Sequence, residues 1–208
     1  MSVSSQTQPA RRRRMPRAER ENQMMAVAEE VFAERGYVAS SMDEIAERVG
    51  VSKPMLYEYF GSKEGLLVAC VRRARAELLR VTTEAVADAQ GPEEMLRRGL
   101  VAYFQFIRAH EQSWIVVSGQ AAVVAPSAAE ELEAARRQQT DLIVATMARY
   151  VPQPAPMDLV AAAEVIVGGC ERLALYCQQN PDTTPEQAAE LVMQLTWFGI
   201  ARLLPDAA

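Results

Sequence analysis

Residues 41–67 read SMDEIAERVGVSKPMLYEYFGSKEGLL, two short helical patterns split by Gly50. Ser41 and Glu44 have the spacing of a capping box at a helix start. Ile45, Ala46 and Val49 form a tight apolar stripe, and Ala46 is small enough for close approach. Gly50 suits the left-handed turn between the two patterns because it has no Cβ, and Val51 is expected to bury there. Over 53–60, a helical wheel puts Leu56 and Phe60 together, one turn apart. They are the only wholly apolar pair, so they must face the protein. Pro54, Met55 and Glu58 point roughly the other way, and Lys53, Tyr57 and Tyr59 sit toward the rims. A helix attached by two residues, with the rest turned outward, presents a surface. Helix, short turn with glycine, helix is the helix-turn-helix unit, in which the second helix enters the major groove of DNA and the first crosses the backbone.

The polar residues of the stretch suit that task. Ser41, Tyr57, Tyr59 and Lys63 are donors with the reach for phosphate oxygens, contacts that set register rather than sequence. Lys53, near the start of the second helix, can reach guanine O6/N7, and Met55 can touch a thymine methyl. Glu58 can accept from cytosine N4 or face solvent. Pro54 is tolerated because it falls in the first turn.

Charge supports a contact at one end of the molecule. The net charge is -5, but residues 1–80 hold 14 Arg/Lys against 11 Asp/Glu, while residues 81–208 hold 8 against 16. Arg11, Arg12, Arg13, Arg14, Arg17 and Arg20 cluster within ten residues. A basic end on an acidic body suits a nucleic acid or another anionic surface, although a solvated tail has the same composition. Residues 1–10 have little to bury and are expected to be disordered. The arginine run could lie in a neighbouring minor groove as a flexible arm.

From about residue 17 almost everything reads as helix, and no stretch shows sustained strand alternation. Met24, Ala28, Val31 and Phe32 share a face ahead of Gly36. Ser62 precedes a long stripe through Leu66, Leu67, Cys70, Val71, Ala74, Leu78 and Val81. Gly91-Pro92 opens another helix, Ser127 and Glu130 repeat the capping box, and the prolines of 151–158 break the chain. Thr184, Pro185 and Gln187 combine a cap, a first-turn proline and a capping box. The expected fold is all-α with about nine helices: a disordered basic arm over 1–16, a helix-turn-helix domain over 17–63 and a larger helical domain over 64–208.

The stretch AEEVFAERGYVASSMDEIAERVGVSKPMLYEYFGSKEGLL, within a match from about Arg20 to Leu67, resembles the TetR family of transcriptional regulators. The likeness rests on F-x-x-x-G-Y, the IA entry of the second helix, the G-V-S-K turn, L-Y-x-Y-F and S-K-E-x-L-L at their mutual spacing. The N-terminal arginines are followed by no apolar stretch of a secretory signal, so a cytoplasmic protein is expected; the resemblance implies a homodimer on a palindromic double-stranded DNA operator. It further implies repression that is released by a small-molecule effector in the second domain. By the same resemblance Ser41, Tyr57, Tyr59 and Lys63 touch phosphates, while Ser52, Lys53, Pro54 and Met55 lie against bases. Met55 departs from the small residue or threonine usual there.

Beyond residue 80 the resemblance covers architecture only. Ala161, Ala162, Ala163, Gly168 and Gly169 permit close helix approach, and a glycine pair inside a helix costs about 1 kcal/mol per residue relative to Ala. The final helix carries Leu191, Val192, Leu195, Trp197 and Phe198, apolar on more than one side, so it must bury itself in something. By family likeness these last two helices make the dimer interface, with an intramolecular core as the other reading. Candidate effector contacts are Tyr103, Phe104, Phe106, His110, Trp114, Gln120, Met147 and Tyr176, each of which, taken alone, is more often plain core. His110, the one histidine, is expected at a helix-end surface. The acidic body favours a cationic or neutral lipophile.

Other classes find little support. Cys70, Cys170 and Cys177 show no metal spacing and read as buried apolar residues, with a redox role as the alternative. No metal or other cofactor is expected. One histidine, no phosphate-binding loop and no nucleophile elbow leave a helical enzyme as a remote reading. An activator, or a regulator without a ligand, is not separable from a repressor by sequence. No run of apolar residues is long enough to span a membrane.

Overall fold

The computed structural model describes residues 15–110, 125–151 and 158–201, with side chains as far as 197. Among these residues there are eight helices and no strand. They are α1 (Arg17–Ala39), α2 (Met42–Val49), α3 (Lys53–Phe60), α4 (Lys63–Val86), α5 (Pro92–Ala109), α6 (Pro126–Met147), α7 (Leu159–Gln179) and α8 (Pro185–Ala201). The ninth helix of the expectation has no counterpart among them, and residues 111–124 lie outside the description.

Two apolar clusters organise the chain. The first gathers Met24, Ala28, Val31 and Phe32 of α1, Ile45, Ala46 and Val49 of α2, Leu56 of α3, and Leu66, Leu67, Cys70 and Val71 of α4. The second gathers Leu78 of α4, Leu100, Tyr103 and Phe104 of α5, Met147 of α6, Ile166 and Cys170 of α7, and Val192 and Met193 of α8. Helix α4 therefore belongs to both. Ala125 and Ala128, at the start of α6, are buried in the first cluster, so α6 also bridges the two.

Local chemistry places the helix ends. Ser41, Ser52 and Ser62 each accept a bond from the backbone N–H three residues on, at 3.2, 3.4 and 2.9 Å, filling one of the donors that a helix start leaves open. Gly50 ends α2 in the left-handed region at φ 77°. Gly65 has a different reason: a Cβ there would lie 2.1 Å from the carbonyl oxygen of Phe60, so only glycine lets α4 leave the end of α3 so tightly. At α8, Gln187 N–H donates to Thr184 Oγ1 at 3.2 Å, and Gln187 Oε1 accepts from Thr184 N–H at 2.9 Å.

The expected capping box at Ser127 is not formed. Helix α6 begins two residues earlier than that cap implies, at Pro126, with Ala125 in the cap position. Ser127 N–H instead donates to the Glu64 carboxylate of α4 at 3.2 Å. A carboxylate from another helix has displaced the local cap, and it fixes α6 against α4. Glu131, one turn further along, accepts from Arg72 at 2.6 Å and Arg75 at 2.9 Å.

Ion pairs give the remaining directions. Glu64–Ser127 and Arg75–Glu131 run in step, so α4 and α6 are parallel. Arg136 pairs with Glu171 and Thr140 bonds Glu164, so α7 returns antiparallel to α6. Arg97 pairs with Glu190 and Arg108 bonds the Thr183 carbonyl, so α8 returns antiparallel to α5.

Candidate nucleic-acid interface and ligand cavity

Helix α3 is fastened by Leu56, which is fully buried, with Phe60 and Tyr59 half-buried against the first cluster. Burial of one leucine supplies about 1.5–3 kcal/mol, enough to hold two turns whose caps are already satisfied. Ser52, Lys53, Pro54, Met55, Tyr57 and Glu58 are exposed, and Met55 and Tyr57 are large side chains at 40% and 41% exposure. Ser41 is exposed too, and as it only accepts at the α2 cap its hydroxyl proton stays available to a phosphate.

Lys53 lies across the gap to α2, where its ammonium meets Asp43 Oδ2 at 2.8 Å. That hydrogen bond, with the Asp43 charge behind it, raises the lysine pKa. Arg17, at the start of α1, sets its guanidinium 4.9 Å from the centre of the Tyr59 ring. The basic segment therefore enters the fold beside α3. This contact, between residues far apart in the chain, has no local signal in the sequence. Arg12, Arg13 and Arg14 lie outside the described residues.

Lys63 departs from expectation. Its ammonium donates to the carbonyls of Tyr37 at 2.9 Å, Val38 at 3.3 Å and Ser40 at 2.9 Å, and stands 4.5 Å from the Tyr37 ring centre. An ammonium has three protons, and all three are committed to the end of α1. Lys63 is thus a C-terminal cap rather than a free phosphate donor in this conformation.

A cavity with about 1150 Å³ of empty space, part of it continuous with solvent, lies among α4, α5, α6 and α7. Of the expected contacts, Tyr103, Phe106, His110 and Met147 line it. His110 is at a helix end as expected, but it is half-buried and turned into the wall, with its ring stacked on Phe106 at 4.3 Å and Nδ1 3.0 Å from the Phe106 carbonyl. Phe104 is not in this wall. One step round the helix from Tyr103, it faces α7 and α8 and lines a separate small cavity with Ile107 and Ala188. Tyr176 is not in the wall either: 53% exposed, it stands on the outer face of α7. Trp114 and Gln120 lie outside the described residues.

The wall also carries Arg75, Arg136, Gln139 and Glu171, which sequence reasoning missed. Their signal was a charge or amide inside an otherwise apolar stripe. Burial raises the Tyr103 phenol well above its usual range, with Cys170 and Glu171 adding to the effect. Burial likewise pushes the Cys170 thiol up to about 12. Among the described residues no group of side chains could hold a metal ion, and no helix is long and apolar enough to cross a membrane.

The expected dimer residues divide. Gly168 and Gly169 are exposed with nothing near their missing side chains. Leu191 and Leu195 are 44% and 77% exposed, and they share a groove with Val165, Tyr176 and Gly169. Ala162 is half-buried. Trp197 instead packs on the second cluster, one step round α8 from the outward face. The side chain of Phe198 is outside the description.

Residues 24–70 match the model of the bacterial regulatory proteins of the tetR family, and residues 92–199 match a tetracyclin repressor-like C-terminal domain. The chain belongs to the TetR family. This is a family of transcriptional regulators rather than enzymes. A transcriptional activator, FasR of Mycolicibacterium smegmatis, is 30% identical over 91% of this chain and 87% of its own length. The regulator EthR of Mycobacterium tuberculosis is 33% identical over 58% of this chain and 57% of its own. A TetR-like regulator from Rhodococcus sp. RHA1 superposes with a TM-score of 0.75 at 31% identity, covering 90% of this chain and 99% of that one. The first TetR match ends on α4 at Cys70, within the part of that helix that packs on α1–α3.

Proposed function

We propose that this TetR-family regulator is a cytoplasmic homodimer that binds a palindromic operator through α3 and represses by occupying it. A lipophilic effector in the α4–α7 cavity then shifts it to a form that leaves the DNA. The carrying observation is α3 itself: Leu56 is buried while Lys53, Pro54, Met55 and Tyr57 face solvent together. Phosphate contacts from Ser41, Tyr57 and Tyr59 set register, and Ser52, Lys53, Pro54 and Met55 read bases. The segment 1–16 serves as a basic arm, 17–63 as the DNA-binding domain and 64–208 as the effector and dimerisation domain. Support for the dimer comes from Val165, Leu191 and Leu195, exposed together on α7 and α8 beside the Gly168-Gly169 pair. A two-fold pair would cover this face and present two α3 helices to one side of DNA.

A second reading, activation, is favoured by the likeness to FasR, a named activator, along most of both chains. The two readings share DNA binding and differ in its consequence. A mobility-shift assay on the DNA upstream of the gene tests the common part, with a salt-sensitive, palindrome-dependent shift expected. A reporter fused to that DNA, in cells with and without the gene, decides the sign: deletion raises expression under repression and lowers it under activation.

A further inference from the structure

The shape and charge of the α4–α7 cavity specify more than a lipophile. Three helices line it with stripes that each cover fifteen residue-to-residue steps, from Val71 to Val86 on α4, from Met95 on α5 to His110 at its cap, and from Leu132 to Met147 on α6. A helix rises 1.5 Å per residue, so each stripe is about 22 Å long. The parallel course of α4 and α6 aligns their stripes end to end. At one end Val71 and Leu132 also pack on the DNA-binding cluster. At the other end are Val86, Met95 and Met147. The cavity is therefore a channel along the bundle, long and narrow rather than round.

Its charges are already spoken for. Arg75 pairs with Glu131 at 2.9 Å. Arg136 pairs with Glu171, the only carboxylate in the described wall, at 2.8 Å. Each arginine is already neutralised by its carboxylate, so a charged ligand group would leave a net charge in a largely apolar wall, and an uncompensated buried charge is costly. A neutral polar group has partners at no such cost, in Gln139 and the Arg136 guanidinium. The expectation of a cationic or neutral lipophile thus narrows to the neutral one.

We propose that the effector is an uncharged, unbranched long-chain lipid. Its polar head lies near Arg136 and Gln139, and its chain runs along α4 toward Val86 and Met147. The class covers long-chain alcohols, esters, amides and thioesters. With C–C bonds of about 1.5 Å in a zigzag, the channel accommodates a chain of about 12–16 carbons. This inference rests on the effector role of the cavity proposed above.

The test uses the full chain and straight-chain 1-alkanols of about 6 to 18 carbons, each kept below its aqueous solubility limit. Kd is measured by calorimetry and thermal shift. Each CH₂ that enters the channel should tighten Kd about fourfold, until a maximum is reached and longer chains lose affinity. At the best length the alkanol should bind at least tenfold more tightly than the matching alkanoate or alkylammonium. Thr146→Phe, which narrows the far end, should move the maximum to chains several carbons shorter while those still bind; Thr146→Leu is the milder form if the larger ring prevents folding. A flat series, a steady rise with no maximum, preference for a charged head or for a compact fused-ring alcohol, or a maximum unmoved in the folded variant, would each overturn the inference. The mobility shift of the unliganded protein is read in parallel. Loss of DNA binding with the length maximum intact would remove the regulator reading and leave the channel standing.

Discussion

Two polar side chains near α3 separate what a residue's type suggests from what its neighbours make of it. Tyr57 and Lys63 are both donors of suitable reach. Tyr57 is 41% exposed, so Tyr57→Ala should shift stability, read from the urea midpoint, by no more than the ~0.5 kcal/mol typical of surface changes while weakening operator binding for every sequence tested. Lys63→Ala strands three carbonyls of α1 and should cost about 1–3 kcal/mol of stability, read as a lower urea midpoint with no DNA present. Local pattern could place both residues, Tyr57 on the rim of the second short helix and Lys63 just beyond it. It could not show that the end of α1 comes within 3 Å of Lys63, because that contact joins residues 23 to 26 apart in sequence. The same holds for Glu64 displacing the Ser127 cap. A second residue-level prediction concerns pH. Burial pushes the Cys170 thiol up to about 12, against about 8.5 in an unfolded chain. Between those values the unfolded state binds fewer protons than the folded one, so stability falls as pH rises. Cys170 alone should contribute a loss of about 1.4 kcal/mol per pH unit between pH 9 and 11, and Cys170→Ala should show a correspondingly shallower decline in urea titrations across that range.

At the scale of elements, the joint between α3 and α4 governs how the reading helix is held. The Phe60 carbonyl closes on the Gly65 backbone, and a methyl group at 2.1 Å cannot be accommodated without moving one helix. Gly65→Ala should therefore destabilise the protein by about 2 kcal/mol or more, as overpacking and strain do. Operator affinity should fall as well, because α3 turns with its attachment. Gly99→Ala is the control. Its Cβ would stand 3.4 Å from a Val86 methyl, a contact a side chain can ease, so stability should change by well under half as much. Elements of this kind were legible where the signal was local. The caps at Ser41, Ser62 and Thr184 each lie within three residues of the group they satisfy, and all three formed. The stripe of α4 read correctly as one apolar line. Its division between two clusters, one ending at Val71 and the other taking up at Leu78, depends on which helices arrive beside it. So does the placing of Phe104 and Tyr103 in different cavities, since both are apolar-faced aromatics one residue apart.

For the whole molecule, the two proposals of DNA binding and dimerisation make each other testable. A lone α3 with Lys53, Tyr57 and its neighbours makes few phosphate contacts, and two copies on one duplex face double that number. Because each neutralised phosphate releases counterion, log Kd against log salt should be linear with a slope near 0.9 times the number of contacts. Leu195, at 77% exposure on the α8 face, is the residue whose burial the dimer most needs. Leu195→Arg places like charges across a two-fold axis, and in the monomer it disturbs nothing, since the side chain touches solvent. The variant should therefore keep its thermal midpoint at dilutions where the parent is already monomeric, sediment as a single protomer, and lose operator affinity by orders of magnitude. Its salt slope should fall to about half that of the parent, since one reading helix then engages one half-site. Full affinity and an undiminished slope in a protein that sediments as a monomer would show that one subunit suffices, and the exposed face of α7 and α8 would then need another partner.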